Sequence, residues 1–245
     1  MSATDHVHLT EDPWDAVVGQ PDAVALLRGA AAGDPVHAWL FLGPRGSGKR
    51  AAARAFAGDL LAAEAATAGD PAAVERIRAL AVAEQHPDLM VVEREGAAIS
   101  ADQADDIVRR ASRSAVEGRR KVVVVDEAHL MALTVGPKLL KTIEEPPAAT
   151  FFVILADELP AELVTIASRC VRVEFAPLTV PVITERLVAE GVEPTRAGEA
   201  ASFSGGDLGR ARLLATDDRL ALRLAAWRDL PRRLDGSGAT AAVAV

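Results

Sequence analysis

The segment 43–50, with the sequence GPRGSGKR, has the residue types and the spacing of a loop that binds phosphate. The full pattern of such a P-loop is G-x-x-x-x-G-K-[ST], in which backbone N–H groups and the dipole of the following helix attract the anion. Gly43 and Gly48 fill the glycine positions, Lys49 fills the lysine position, and Gly46 keeps the loop free of a side chain. The loop therefore has the pattern of a site for the phosphates of ATP. The candidate binding residues are Gly43, Pro44, Arg45, Gly46, Ser47, Gly48, Lys49 and Arg50.

The last position of the loop departs from this pattern, because Arg50 stands where a Ser or Thr hydroxyl normally ligates Mg²⁺. An arginine cannot ligate a cation, so no metal ligand is assigned here. Its guanidinium could pair with phosphate and substitute for part of the metal's charge, or it could point outward as a solvated residue of the first helical turn. With either placement we expect Mg²⁺-dependent hydrolysis to be impaired, and the sequence leaves open whether nucleotide is bound.

An acidic pair, Asp126 and Glu127, follows the four valines at 122–125 and matches the Walker B arrangement. A buried strand of this kind would carry Asp126 toward a metal, and Glu127 would polarise an attacking water. The alternative is an acidic pair that stabilises the N-terminus of a following helix. We favour the catalytic geometry, because the pair follows a strand, although an intact pair beside an altered magnesium position is an inconsistent site for hydrolysis.

The pattern around these motifs predicts the elements that position them. Short apolar runs predict buried strands at 39–42, 89–92, 121–125, 151–155 and 171–175. Helical patterns alternate with them, and one begins at a capping box formed by Ser100 and Gln103. Such alternation is typical of a parallel sheet with helices on both faces. After Pro177 the pattern is helical only. We predict a P-loop α/β domain over 1–177 and a small helical lid domain over 178–225.

Composition and charge exclude several classes of protein. The single cysteine, Cys170, excludes an internal disulfide and a cysteine-cluster zinc site. A net charge of −8 gives the chain no basic surface with which to bind nucleic acid on its own. No apolar run approaches the roughly 18 residues that span a membrane, and the polar, acidic N-terminus is unlike a signal peptide. We expect a cytoplasmic protein without a membrane partner. If it acts on DNA, it does so within a larger assembly.

Four stretches, in this order, carry a resemblance to one family. They are FLGPRGSGK at 41–49, HPD at 86–88, LLKTIEEPP at 139–147 and TIASRC at 165–170. The last two are highly specific. Over about residues 14–215 the chain resembles the bacterial clamp-loader AAA+ ATPases, and within them the delta-prime type of DNA polymerase III subunit rather than the gamma/tau motor.

The resemblance implies the AAA+ fold and a place in a hetero-oligomeric ring, with gamma/tau and delta subunits as partners. Such rings open a sliding clamp and load it on primed DNA, so clamp and DNA would be reached through the complex. The resemblance further implies that Arg169 is an arginine finger donated in trans to the ATP of a neighbouring subunit, where a guanidinium stabilises the charge on the transferring phosphoryl group. The alternative for Arg169 is a surface arginine ahead of an edge strand. Cys170 is then a small buried residue and not a nucleophile.

Three departures from the family pattern indicate a subunit with little ATP chemistry of its own. Arg50 replaces the hydroxyl residue of active ATPases, and segment 62–85 lacks the cysteines of the family's zinc module, so no zinc is expected. Gly209 falls where the lid of active relatives carries a sensor arginine, with Arg210 one position later. We favour a degenerate AAA+ subunit that donates Arg169, with weak or absent intrinsic ATPase activity. The alternatives are an active gamma/tau-like ATPase and an AAA+ adaptor outside replication.

The end of the chain, 226–245, contains a turn-like DGSG followed by a stretch rich in alanine and valine. This pattern is typical of the start of a helix that has no end cap. We interpret the segment as a linker or as the start of a C-terminal collar domain that is truncated, with a natural terminus as the alternative.

Overall fold

A computed structural model describes residues 12–217 and residue 219. The chain divides into two compact units, with the boundary between Ala176 and Pro177. The end of the predicted lid domain and the whole of segment 226–245 lie outside the described residues.

The first unit contains a five-stranded sheet that confirms the predicted α/β class. The strands are β1 (Ala38–Leu42), β2 (Leu89–Val92), β3 (Lys121–Val125), β4 (Thr150–Ala156) and β5 (Val171–Glu174). Their order across the sheet is β2-β3-β4-β1-β5, and every neighbouring pair is parallel. Each predicted strand is present, with ends that differ by at most one residue. The order places β1 between β4 and β5, so the loop that follows β1 leaves the interior of the sheet.

Helices cover both faces of this sheet. They are α1 (Pro21–Ala32), α2 (Lys49–Thr67), α3 (Pro71–Val82), α4 (Ala101–Ala111), α5 (Val135–Glu144) and α6 (Ala161–Ala167), with short 3-10 turns at Pro13–Ala16 and Ala128–Leu130. The predicted capping box is confirmed at the start of α4, where the Ser100 and Gln103 side chains each bond the other residue's backbone N–H. Helix α6 was not predicted, because two turns are too short to show a helical period.

Two apolar cores form because successive strand residues point to opposite faces of the sheet. On β1, Phe41 faces the core beneath α1 and α2, where it packs against Phe56, while Leu40 faces the core beneath α4, α5 and α6. All residues of β1, and all of β4, are buried. Burial of a large apolar side chain contributes about 1.5–3 kcal/mol to the free energy of unfolding. The two cores therefore hold the strands, and with them the strand ends, in place.

The second unit is a small helical bundle, as the sequence pattern predicts for the region after Pro177. It contains α7 (Val180–Ala189), α8 (Pro194–Ser204) and α9 (Leu208–Thr216). Asp207 caps α9 by accepting a hydrogen bond from the N–H of Arg210 (3.0 Å). Gly209 and Arg210 therefore both lie in the first turn of α9. None of the helices in the described ranges is long and apolar enough to cross a bilayer.

The HPD stretch at 86–88 has a structural function, because the side chain of Asp88 holds a neighbouring loop. The carboxylate of Asp88 is buried and accepts hydrogen bonds from the backbone N–H groups of Val116, Glu117 (2.9 Å) and Gly118 (3.2 Å). Burial alone would raise the pKa of Asp88, but these backbone donors outweigh it and hold the pKa below its ordinary value. Asp88 therefore anchors the loop that leads into β3.

Replacement of Asp88 by Asn tests this anchor. The amide keeps the size of the side chain but loses the charge, so the free energy of unfolding near neutral pH should fall by about 2 kcal/mol. Because the pKa is lower in the folded state, the stabilisation is complete above the unfolded value of about 4 and is lost as pH falls through the folded value. Urea unfolding should show the gap between wild type and Asp88→Asn closing only in this acid range. Asp34→Asn, at an exposed position, is the control, and a gap that does not change with pH would contradict the assignment.

Candidate functional site

The P-loop connects the carboxyl end of β1 to α2, and its glycines are required by its geometry. Gly46 and Gly48 have φ values of 73° and 98°, in the left-handed region that other residues adopt at a cost. A Cβ atom on Gly43 would lie 2.0 Å from the carbonyl oxygen of Phe175. The loop therefore has the backbone of a phosphate-binding loop, packed directly against the chain that leaves β5.

Gln20, which sequence reasoning missed, ties this loop to the end of β5. It is buried, and its Nε2 donates to the carbonyl oxygens of Ser47 (3.1 Å) and Ala176 (2.6 Å). Its Oε1 accepts from the N–H of Ala176 (3.2 Å). The Ser47 hydroxyl is also buried, and it has no hydrogen-bond partner among the described residues. A polar group of this kind inside a phosphate loop is suited to an oxyanion.

Lys49 is turned back onto its own loop. Its Nζ donates to the carbonyl oxygens of Gly43 (2.5 Å) and Pro44 (2.8 Å) and to Oδ1 of Asp157 (2.9 Å). Because an ammonium group has three donors, these contacts use all of them. Asp157 directly follows β4 and its N–H donates to Nδ1 of His129 (3.2 Å). Binding of phosphate by Lys49 would therefore exchange one of these acceptors for a phosphate oxygen.

The structure gives Arg50 a third placement, which differs from both that the sequence suggested. Its Nε and Nη2 donate to the two carboxylate oxygens of Glu84 (3.0 and 2.9 Å), and Nη1 lies 3.4 Å from Oδ2 of Asp126. Nη1 also forms an ion pair with Glu93. Arg54, one turn further along α2, donates to the same Glu84 carboxylate (2.6 Å). Arg50 thus serves as a fixed cation among three carboxylates at the carboxyl edge of the sheet.

Asp126 lies where the Walker B prediction places it, at the carboxyl end of β3, but its environment is unusual. Burial raises its pKa, and neither the N–H of Glu127 on Oδ1 (2.8 Å) nor the Arg50 guanidinium on Oδ2 reverses that shift. Oδ2 is thus directed at a guanidinium. The positive charge beside this carboxylate is therefore that of the Arg50 side chain.

Glu127 follows Asp126 and has an arginine partner. Its backbone has φ 48°, a left-handed conformation that costs a non-glycine residue about 1–2 kcal/mol. Its Oε2 accepts a hydrogen bond from Nε of Arg94 (2.7 Å). It is the N-cap residue of the 3-10 turn that follows and makes no side-chain cap bond to it. The carboxylate that would polarise an attacking water is thus occupied by an arginine.

Arg169 lies at the opposite edge of the sheet from the P-loop. It follows α6 and lies two residues before the start of β5, and the four strand residues, about 13 Å of extended chain, separate it from the segment that touches the loop. Its Nη1 donates to the Thr165 carbonyl (2.9 Å) and to Oγ of Ser168 (3.0 Å), and Nε pairs with Glu144. The side chain is 38% exposed, and so is accessible to another molecule.

The neighbouring Cys170 is only partly exposed, and burial raises the pKa of its thiol to about 12. At neutral pH the thiol stays protonated, so it is not a nucleophile.

Comparison with known proteins places the chain among subunits of a bacterial polymerase. Residues 19–179 match the family described as DNA polymerase III, delta subunit. The delta' subunit of DNA polymerase III from Pseudomonas aeruginosa is 37% identical over 175 residues, which cover 69% of this chain and 53% of the relative. The delta' subunit from Bacillus subtilis is 31% identical over 179 residues, covering 73% and 54%. The chain thus spans about half the length of these relatives.

A related subunit type is also similar. The gamma/tau subunit of DNA polymerase III from Mycobacterium tuberculosis is 37% identical over 155 residues, which cover 62% of this chain and 27% of the relative.

Solved structures show the fold. The Thermotoga maritima RuvB Holliday junction branch migration motor aligns with a TM-score of 0.54 and 19% identity, covering 85% of this chain and 64% of that one. A DNA polymerase III gamma subunit-related protein from the same organism aligns with a TM-score of 0.52 and 19% identity, covering 91% and 70%. The fold is the AAA+ α/β fold, as predicted.

Substitution of Gly43 tests whether the loop is held by its contact with Phe175. Gly43→Ala should destabilise the chain by at least about 1–3 kcal/mol, because its Cβ would overlap a backbone oxygen that cannot move independently. Gly29→Ala is the matched control, since nothing lies within 4 Å of a Cβ there, and in the middle of α1 it should stabilise by about 0.5–1 kcal/mol. The measurement is the urea midpoint of unfolding of each variant. Equal stability of the two variants would show that the contact between Gly43 and Phe175 is not rigid.

Proposed function

The chain belongs to the DNA polymerase III delta subunit family, and from this premise we propose that it is a delta-prime-like subunit of a clamp loader. In this proposal it is a degenerate AAA+ subunit that works in the cytoplasm, in a ring with gamma/tau and delta subunits. It hydrolyses little or no ATP and supplies Arg169 to the ATP of a neighbour. The sliding clamp and primed DNA are reached through the assembled ring.

The placement of Arg50 carries this proposal. A hydrolytic P-loop uses a hydroxyl at this position and an acidic residue at the end of the Walker B strand to hold Mg²⁺. Here the hydroxyl is absent, and the guanidinium is bonded to Glu84, paired with Glu93 and directed at Asp126. A divalent cation at this position would have to displace the Arg50 guanidinium, which is covalently attached to the chain. The positive charge of that guanidinium would repel the cation at close range. The residues present therefore do not fit Mg²⁺.

The same loop fits the phosphates of ATP better than it fits the metal. The left-handed glycines, the buried hydroxyl of Ser47 and the ammonium of Lys49 are suited to hold phosphate oxygens. ATP, when bound, supplies a transferable phosphoryl group. The chain's own residues bind and orient the phosphates, while the Glu127 carboxylate is occupied by Arg94. We therefore propose nucleotide binding without turnover.

The location of Arg169 supports a function in trans. The length of β5 lies between Arg169 and the segment that touches its own P-loop, so the guanidinium is directed at a different surface. Within a ring of similar subunits, that surface is available to the nucleotide of a neighbour.

A second candidate is an active gamma/tau-like ATPase. The similarity to a gamma/tau subunit and the presence of Asp126 and Glu127 at the end of β3 favour it. Arg50 distinguishes the two candidates, because only the degenerate subunit is compatible with a guanidinium in the metal position.

Calorimetry and turnover of the Arg50→Thr variant provide the test. We expect the wild-type chain to bind ATP no more tightly with Mg²⁺ than without it, and to turn over far more slowly than about 1 s⁻¹. Arg50→Thr frees Asp126 and restores a hydroxyl, so its ATP affinity should become dependent on Mg²⁺. Arg54→Thr is the control, since it also removes a partner of Glu84 but lies outside the loop. Mg²⁺-dependent turnover by the wild type at about 1 s⁻¹ or faster would favour the active ATPase.

The trans function of Arg169 is tested in the reconstituted loader. An arginine finger contributes about 10³–10⁵ in rate at the site it serves, so Arg169→Ala should abolish turnover at one site of the ring while other sites continue. Arg172→Ala, three residues later on β5 and also exposed, is the matched control. Gel filtration establishes that the ring still assembles. Unchanged clamp-stimulated ATPase with Arg169→Ala would remove the finger assignment.

A further inference from the structure

Two motifs that are distant in sequence meet at the amino edge of the sheet. Helix α5 ends at Glu144, within the LLKTIEEPP motif. Arg169 belongs to the TIASRC motif and lies in the turn before β5. The carboxylate of Glu144 forms an ion pair with Nε of Arg169. This contact gives a function to a glutamate of the first motif that the nucleotide site does not use.

The hydrogen bonds of Arg169 fix the direction of its guanidinium. Nε is turned to Glu144, and the two N–H groups of Nη1 are matched by the Thr165 carbonyl oxygen (2.9 Å) and Oγ of Ser168 (3.0 Å). A guanidinium has five N–H donors in a planar fork. Nη2 forms no hydrogen bond within the ranges that the structure describes. Nε and Nη1 are therefore engaged by residues of the same chain, and the Nη2 donors remain for a partner.

The position of Glu144 is electrostatically costly without this contact. Glu144 is the last residue of α5, where the helix dipole is negative and disfavours a carboxylate. The Arg169 guanidinium offsets that repulsion. The next residue, Glu145, is also exposed, but its side chain has no partner in the described part of the chain. The two adjacent glutamates thus differ in their contact with Arg169.

We propose that Glu144 is a positioning residue for the arginine finger. It holds the guanidinium so that Nη2 faces outward toward a phosphate of the neighbouring subunit, and it limits the rotamers that the free side chain would otherwise sample. An arginine held in this way loses less conformational freedom when it meets the phosphate. The inference rests on the proposed function of Arg169 in trans.

The experiment uses the full chain in a loader reconstituted with gamma/tau and delta subunits, sliding clamp and primed DNA. Steady-state ATP hydrolysis is measured as kcat and KM for Glu144→Gln, Glu145→Gln, Glu144→Asp, Arg169→Ala and the double variant Glu144→Gln/Arg169→Ala. The two glutamine variants remove the same charge one residue apart, so long-range electrostatics are matched. Thermal unfolding of each chain establishes that it is folded before assembly.

The expected result is a specific loss of kcat. Glu144→Gln should lower the part of kcat that depends on Arg169 roughly threefold to tenfold, as expected for one partly exposed ion pair, with KM for ATP unchanged. Glu144→Asp should restore part of the loss, and Glu145→Gln should match wild type. In the Arg169→Ala background, Glu144→Gln should have no further effect, because its action passes through the arginine.

Three outcomes would overturn the inference, and they are distinguishable. If Arg169→Ala lowers kcat and Glu144→Gln does not, the positioning function is wrong while the proposed function stands. If Glu144→Gln lowers kcat equally with and without Arg169, its effect is a general one on the fold, and the inference fails. If Arg169→Ala has no effect, the finger assignment fails, and the positioning function fails with it.

Discussion

The common direction of the five strands is the constraint on which the other placements depend. Because all of them run parallel, their carboxyl ends lie along one edge of the sheet and their amino ends along the other. The P-loop, Asp126 and Asp157 follow strands β1, β3 and β4, so they converge at the carboxyl edge. Glu144 and Arg169 precede strands β4 and β5, so they converge at the amino edge. The fold thus places the residues of the phosphate loop and Arg169 at opposite edges of the sheet.

Electrostatics at the carboxyl edge follow from Arg50. A partly buried carboxylate with a raised pKa, such as Asp126, needs a positive charge nearby to remain ionised. In this chain the charge is part of a side chain, and Glu84 and Glu93 hold it by hydrogen bonding and ion pairing. The pair formed by Glu127 and Arg94 follows the same principle. Both acidic residues that follow β3 therefore have arginine partners.

Much of this arrangement could be predicted from the sequence. The strands have uninterrupted apolar runs, the P-loop has a fixed glycine spacing, and the capping box at Ser100 is local, so each depends on neighbouring residues alone. The placement of Arg50 could not be predicted, because its partners come from the end of α3 and from the end of β2 and β3, and only the folded chain brings them together. Gln20 and Asp157 were missed for the same reason. Helix α6 was missed because two turns carry too little periodicity.

The amide of Gln20 has a mechanical consequence. One side chain bonds the carbonyl of Ser47 inside the P-loop and both backbone groups of Ala176, the last residue of the first unit. Gly43, at the other end of the loop, packs against Phe175 without room for a methyl group. A displacement of the loop backbone would therefore move Phe175 and Ala176, through the hydrogen bonds of Gln20 and the packing of Gly43. Ala176 is the residue directly before the second unit. The stretch Phe175–Ala176 thus joins the phosphate loop to the last residue of the first unit.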